Sequence, residues 1–111
     1  MYPMPTETTP LETVPVETIA ERDGWYYRTI CLAQPGTVVP QHVHDHDHET
    51  RVESGAARGW QDGEWIGDKA AGQSFHIPAH RTHLFQAIAP DTRLTCVHNI
   101  ESALSLKRKG F

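Results

Sequence analysis

Apolar and polar side chains alternate along most of this chain with the period of a strand, and no central stretch sustains a 3.6-residue repeat. Val14, Val16 and Ile19 suggest a short first strand. After Asp23-Gly24, which reads as a turn, the run Trp25-Tyr26-Tyr27-Arg28-Thr29-Ile30-Cys31-Leu32-Ala33 is rich in aromatic and β-branched residues, the composition of a strand. Pro35-Gly36 marks the next turn, and Val38-Val39 leads into a strand that carries a histidine run and closes at Gly55. Asp62-Gly63 is a two-residue hairpin signal and Ala71-Gly72 another turn. Ser74-Phe75-His76-Ile77 stops at Pro78, a residue that cannot donate to a ladder. Leu84 to Ile88 and Arg93 to His98 complete the set, divided by Ala89-Pro90-Asp91. Turn signals thus recur about every 8–12 residues, which predicts an all-β sandwich or barrel.

The two ends differ from this pattern. Residues 1–14 hold three prolines and four threonines with few large apolar groups. Such a segment buries too little surface to offset its ordering entropy, so an arm that orders only against another surface is expected. The resulting division is 1–20 for the arm and candidate first strand, 21–100 for the barrel, and 101–111 for a tail. Residues 100–109 could hold a helical turn or two. Lys107-Arg108-Lys109 is read as a solvated end.

Composition narrows the function. The 111 residues carry ten Lys+Arg against fourteen Asp+Glu, a net charge of −4, which disfavours nucleic acid as a partner. No apolar run approaches the ~18 residues of a spanning helix, so no membrane partner is expected. The N-terminus lacks the basic and apolar regions of a secretory signal. Cys31 and Cys96 lie far apart in apolar stretches and are read as reduced core residues of a cytoplasmic protein. Trp60 and Trp65 flank the Asp62-Gly63 turn and can pair across the hairpin. With an arm in need of a surface, such aromatics make a homodimer the expected state.

Histidine is the compositional outlier. Of eight, four occupy the even positions 42, 44, 46 and 48. On one extended strand these side chains would share a face, and neutral imidazoles two residues apart can grip a single transition-metal ion. A polar histidine-rich loop would show the same local sequence, so the rest of the chain has to decide.

Gly36 is followed by five residues and then His42-Val43-His44; Gly55 lies seven residues beyond His48. Downstream, Gly72 is followed by five residues and Pro78, with His80 and His83 beyond. This pair of patterns resembles the two signatures of the cupin superfamily, small antiparallel jelly-roll β-barrels with a metal inside, and the likeness covers residues from about 25 to 99. The first family signature runs glycine, five residues, His-x-His, three or four residues, a glutamate and a later glycine. At the glutamate position this chain offers His48 or Glu49. Strand parity favours His48, which would share a face with His42 and His44, and Glu49 stays the alternative. His80 stands where the second signature has a turn glycine, so it is expected to adopt positive φ and to sit at the rim.

The resemblance implies His42, His44, His48 and His83 as ligands to one divalent transition metal per chain (Fe, Ni, Zn, Mn or Cu). Four nitrogens would leave about two positions open on a six-coordinate ion and none on tetrahedral zinc. Asp47 is the favoured partner for a ligand imidazole, ahead of Asp45 and Gln41. His46 is expected exposed at the barrel mouth, His76 partly buried, and His98 in the core or at the rim. Phe85, Val52 and Leu94 are candidate lining for a small, partly apolar ligand, or simply barrel core. No serine or cysteine sits in a catalytic motif. Two functions follow: a metal-dependent enzyme of oxygenase, isomerase or lyase type acting on a small organic molecule, or a non-catalytic module binding metal and a small ligand.

Overall fold

The structure, a computed structural model, describes residues 2–6, 16–44 and 46–99, with side-chain surroundings defined for all of these except 16–18, 40–42 and 99. Val14 and the tail expected to turn helical lie outside the described residues. Among the described residues there are nine strands: β1 (Val16–Arg22), β2 (Trp25–Leu32), β3 (Val38–His42), β4 (His48–Ser54), β5 (Ala56–Gln61), β6 (Glu64–Ala70), β7 (Ser74–Ile77), β8 (His83–Ala87) and β9 (Thr92–Asn99). They form a five-stranded sheet, β1-β2-β9-β4-β7, and a four-stranded sheet, β3-β8-β5-β6. Every pairing is antiparallel. The all-β antiparallel architecture expected from the turn spacing is present, and no helix among the described residues is long and apolar enough to cross a membrane.

Local chemistry sets the two tight hairpins. Arg22 pairs with Trp25 and Gln61 with Glu64, leaving Asp23-Gly24 and Asp62-Gly63 as two-residue loops. All four central residues have positive φ (52°, 82°, 51° and 80°). That is the turn whose twist matches paired strands, and Asp-Gly tolerates it best. β1 runs across the boundary drawn at residue 20 and joins the larger sheet.

The core lies between the sheets. Ile30 and Leu32, Val52, Phe75, Ile77 and Leu94 come from the larger sheet, and Val39, Ala57, Phe85 and Ala87 from the smaller. Phe85, Val52 and Leu94, the candidate lining residues, pack within this cluster, so the barrel-core reading describes them. Gly59 lets Phe75 cross between the sheets, because a Cβ there would stand 2.6 Å from the Phe75 ring.

A second cluster, Val38, Trp60 and Leu84, is buried on the outer face of the smaller sheet. The arm covers it: the Trp60 indole N–H donates to the Tyr2 carbonyl at 2.8 Å, and the Tyr2 ring meets Trp65 edge-on at 5.2 Å. The Arg58 guanidinium lies 3.4 Å from the Tyr2 ring centre while both its ends bond Asp68 at 2.8 Å. Trp60 and Trp65 do face each other across the hairpin, with Tyr2 against both. Residues 2–6 of the arm thus meet a surface of their own chain.

Cys31 and Cys96 are free thiols, and alternation along β2 and β9 puts them on opposite sides of their shared sheet. Cys96 points inward against Thr50 Oγ1 at 3.6 Å, and burial pushes its pKa up to about 12.

Candidate metal centre

Inward-facing positions grade from apolar to histidine along the barrel. On β9 the sequence is Leu94, Cys96, His98; on β4, read backwards, Val52, Thr50, His48; on β8, Ala87, Phe85, His83. All nine are buried. One end of the barrel is thus floored with hydrocarbon and the other lined with imidazole.

The histidine run is not one strand. β3 ends at His42 in the smaller sheet and β4 begins at His48 in the larger, so the intervening residues cross from sheet to sheet. A single-face row from 42 to 48 is therefore replaced by a loop. His44 nevertheless reaches the cluster, because the loop folds back over the barrel end. The His80 N–H donates to the His44 carbonyl at 2.8 Å, and the Ala79 N–H to Asp47 Oδ1 at 2.7 Å.

His44, His48 and His83 each present a ring nitrogen within 4.8 Å of the others. Two nitrogens bound to one ion at ~2.1 Å each stand at most ~4.2 Å apart, so small side-chain rotations close the gap. The donor set fits such an ion in other ways too. Three imidazoles are a borderline-soft, neutral set suited to late first-row divalent metals, and His48 and His83 are 7% and 1% exposed. His83 Nδ1 lies 3.4 Å from the Arg81 carbonyl, a contact that selects the Nδ1–H tautomer and leaves Nε2 as the lone-pair nitrogen. The loop before His83 is itself braced: Asp62 accepts from the Thr82 N–H at 3.0 Å and from Arg81 at 3.0 Å.

His42 closes β3, with its backbone opposite His83; its side chain lies outside the described residues. Glu49, the alternative to His48, faces the opposite side of β4, where its carboxylate accepts from the Ser74 hydroxyl at 2.6 Å. Among the described residues the carboxylate of Asp47 is taken up by the Ala79 amide, tying one loop to the next, and not by an imidazole. Gln41 and Asp45 lie outside the described side chains. His80 has φ 64° and is exposed at the rim, as its place in the turn predicts. His76 is exposed rather than partly buried, because it alternates with the inward Phe75 and Ile77.

Two further histidines join the cluster. His98 is 2% exposed, and its ring stacks on His48 with centres 5.0 Å apart and planes at 23°. His46, expected exposed at the barrel mouth, is half-buried: its Nε2 lies 2.9 Å from His98 Nδ1, and its ring stacks on His44 at 5.3 Å and 24°. The shared parity of His98 with buried Leu94 and Cys96 is the signal that points it inward. A cavity of about 370 Å³ lies on the outer face of the larger sheet near this end, bounded by Trp25 and by Val97, Glu49 and His76, which alternate with the inward-facing His98, His48 and Ile77.

The comparisons with known proteins bear on the fold that carries this geometry. None of the curated proteins matches the sequence. Among solved structures, KdgF from Halomonas sp. is 26% identical, with 72% of this chain and 73% of that one covered and a TM-score of 0.64. An RmlC-like cupin with a double-stranded β-helix fold from Methanocaldococcus jannaschii is 19% identical over 84% and 85% of the two chains, with a TM-score of 0.66. An oxalate oxidase is 19% identical, covering 68% of this chain and 42% of its own, with a TM-score of 0.61. At these identities the last two establish the fold alone. The cupin domain family matches residues 29–98, the span that holds both glycine-histidine patterns and all three converging imidazoles, and the chain belongs to that family.

Proposed function

We propose that this protein is a metal-dependent cupin that holds one divalent transition metal through His44, His48 and His83, with His42 as a fourth ligand, and acts on a small organic molecule. The observation that carries the reading is the convergence of three ring nitrogens, within 4.8 Å of one another, from two remote parts of the chain. Bound there, the ion would supply Lewis-acid polarisation of a ligand oxygen. The chain's own contributions are separate. His83 is held in one tautomer by the Arg81 carbonyl. The apolar floor of Phe85, Val52 and Leu94 keeps bulk water from the inner side of the site. A reaction of oxygenase, isomerase or lyase type suits this arrangement. A cytoplasmic setting is part of the same reading, supported by two free thiols on opposite sides of one sheet.

A second reading, a non-catalytic module that binds metal and a small ligand, draws on one observation: the β3–β4 and β7–β8 connections at the histidine end are short, and among the described residues no long segment closes over them to exclude water. Metal analysis of protein purified without added metal, followed by turnover assays with and without oxygen, separates the two. Near-stoichiometric iron, nickel, manganese, copper or zinc is expected in the wild type. In His83→Ala, affinity should fall by more than the roughly 100-fold that loss of an outer partner causes, with no change in exposed His76→Ala. Equal retention of metal in His83→Ala and wild type would overturn the assignment. Turnover by the metal-loaded protein supports the enzyme; stoichiometric metal without turnover across oxygenase, isomerase and lyase substrates supports the binding module.

A further inference from the structure

Of the three converging histidines, His48 and His83 each open a strand, where ladder hydrogen bonds fix the backbone. His44 has no such support. It sits on the crossing between the two sheets, and its placement depends on whatever pins that loop. On one side the pins are backbone contacts to the β7–β8 connection: the His80 amide on the His44 carbonyl and the Ala79 amide on Asp47. On the other side His46 Nε2 lies 2.9 Å from His98 Nδ1, beside ring contacts of His44 with His48 and His98 at 5.1 and 5.6 Å. His98 is a good anchor, since it lies on β9, paired on both sides by β2 and β4, and is buried.

The pair is also placed to set ring orientation. His46 lies nearly parallel to His44 at 24°, and His98 nearly parallel to His48 at 23°. The two bonded imidazoles therefore back the rings of His44 and His48. Neither belongs to the group whose nitrogens all lie within 4.8 Å of one another.

We propose that His46 and His98 form a clasp that ties the crossing at His46 to β9 and so presets His44 for an incoming ion; the two are positioning residues, not ligands. The proposal rests on the metal reading above for its consequence, though the clasp itself is a property of the metal-free fold. It predicts that the site is assembled before the ion arrives, so that binding does not have to order the loop.

The test uses full-length protein with His46→Ala, His46→Gln and, as a second route, His98→Leu, each first checked for a native circular-dichroism spectrum. His46 is half-buried on a loop, so its replacement spares the core. The first measurement is amide hydrogen exchange of residues 43–47 without metal. Losing one hydrogen bond of ordinary strength should speed exchange about 5- to 10-fold in His46→Ala, while His46→Gln, whose side-chain amide can occupy the Nε2 position, should restore protection. The second is cobalt(II) affinity by chelator competition. His46→Ala should weaken it about tenfold, the low end for loss of an outer partner, with the number of coordinated imidazoles unchanged by X-ray absorption. Unchanged exchange in both His46→Ala and His98→Leu would overturn the clasp. So would a lost imidazole in the cobalt complex, which would make one of the pair a ligand, or a His46→Gln variant as unprotected as His46→Ala. Wild-type protein that binds no cobalt would overturn the metal reading instead, and the exchange measurement would still decide the clasp.

Discussion

The seat of Phe75 on Gly59 gives a sharp test of how the two sheets are held apart. In a strand, Gly→Ala ordinarily stabilises by about 0.4–1 kcal/mol through the unfolded chain. Here the opposite sign is expected. A Cβ at position 59 would lie 2.6, 3.0 and 3.1 Å from Phe75 Cε1, Cδ1 and Cζ. Carbon atoms pack at about 3.5–4.0 Å, so the ring would have to retreat by roughly 1 Å. Phe85, the cross-strand partner of Gly59, stands beside it with ring centres 5.0 Å apart, and both rings are buried, so the ring has little room to shift. Overpacking of this kind costs about 1–3 kcal/mol, which for a domain near 100 residues lowers the melting temperature by roughly 5–20 °C. Thermal and urea unfolding of Gly59→Ala measures it. A double-mutant cycle with Phe75→Leu should show the pair less destabilised than the sum by about 1 kcal/mol, since the smaller side chain vacates the contested space. Gly59→Ala at or above wild-type stability, or strictly additive effects, would refute the packing argument. Phe85 lies 5.6 Å from His83, so the same variant should also weaken metal binding.

Two further outcomes follow from groups outside the cluster. The Cys96 thiol, raised to about 12 by burial, should resist maleimide in the folded protein and react on unfolding; modification of Cys96 under native conditions would contradict its burial. Asp68 is held below the ordinary carboxylate range by the Arg58 hydrogen bonds, with burial opposing. A depressed folded pKa stabilises above the unfolded value of about 3.9 and loses that contribution as pH falls through the folded value, so urea midpoints measured from about pH 5 to 2 should fall less in Asp68→Asn than in wild type.

Which parts of this were readable along the chain depends on the range of the interaction that decides each one. The Asp23-Gly24 and Asp62-Gly63 hairpins follow from two residues each, because positive φ at both central positions admits few side chains. His44, His48 and His83 stand out through spacing from Gly36, Gly55, Gly72 and Pro78. Parity singled out His48 over Glu49 with a bend expected near residue 45; the interruption is larger, a change of sheet between His42 and His48, and His48 points inward because of its place on β4 alone. The same interruption brings His46 inside, against expectation. His98 lies far along the sequence from the other histidines, and its position beside His48 depends on β9 inserting between β2 and β4, a long-range pairing with no local signature. The burial of Trp60 depends on residue 2 for the same reason.

Because His48 belongs to one sheet, His83 to the other and His44 to the passage between them, no isolated hairpin of this chain can assemble the three-nitrogen group. Capture of an ion there would therefore be linked thermodynamically to closure of the whole sandwich: the unfolded chain offers only scattered imidazoles, and every tenfold excess of metal over its dissociation constant would deepen the native well by about 1.4 kcal/mol. In a cell, supply of the right ion would then act as a quality check on folding, with metal-starved molecules unfolding more often than their loaded counterparts.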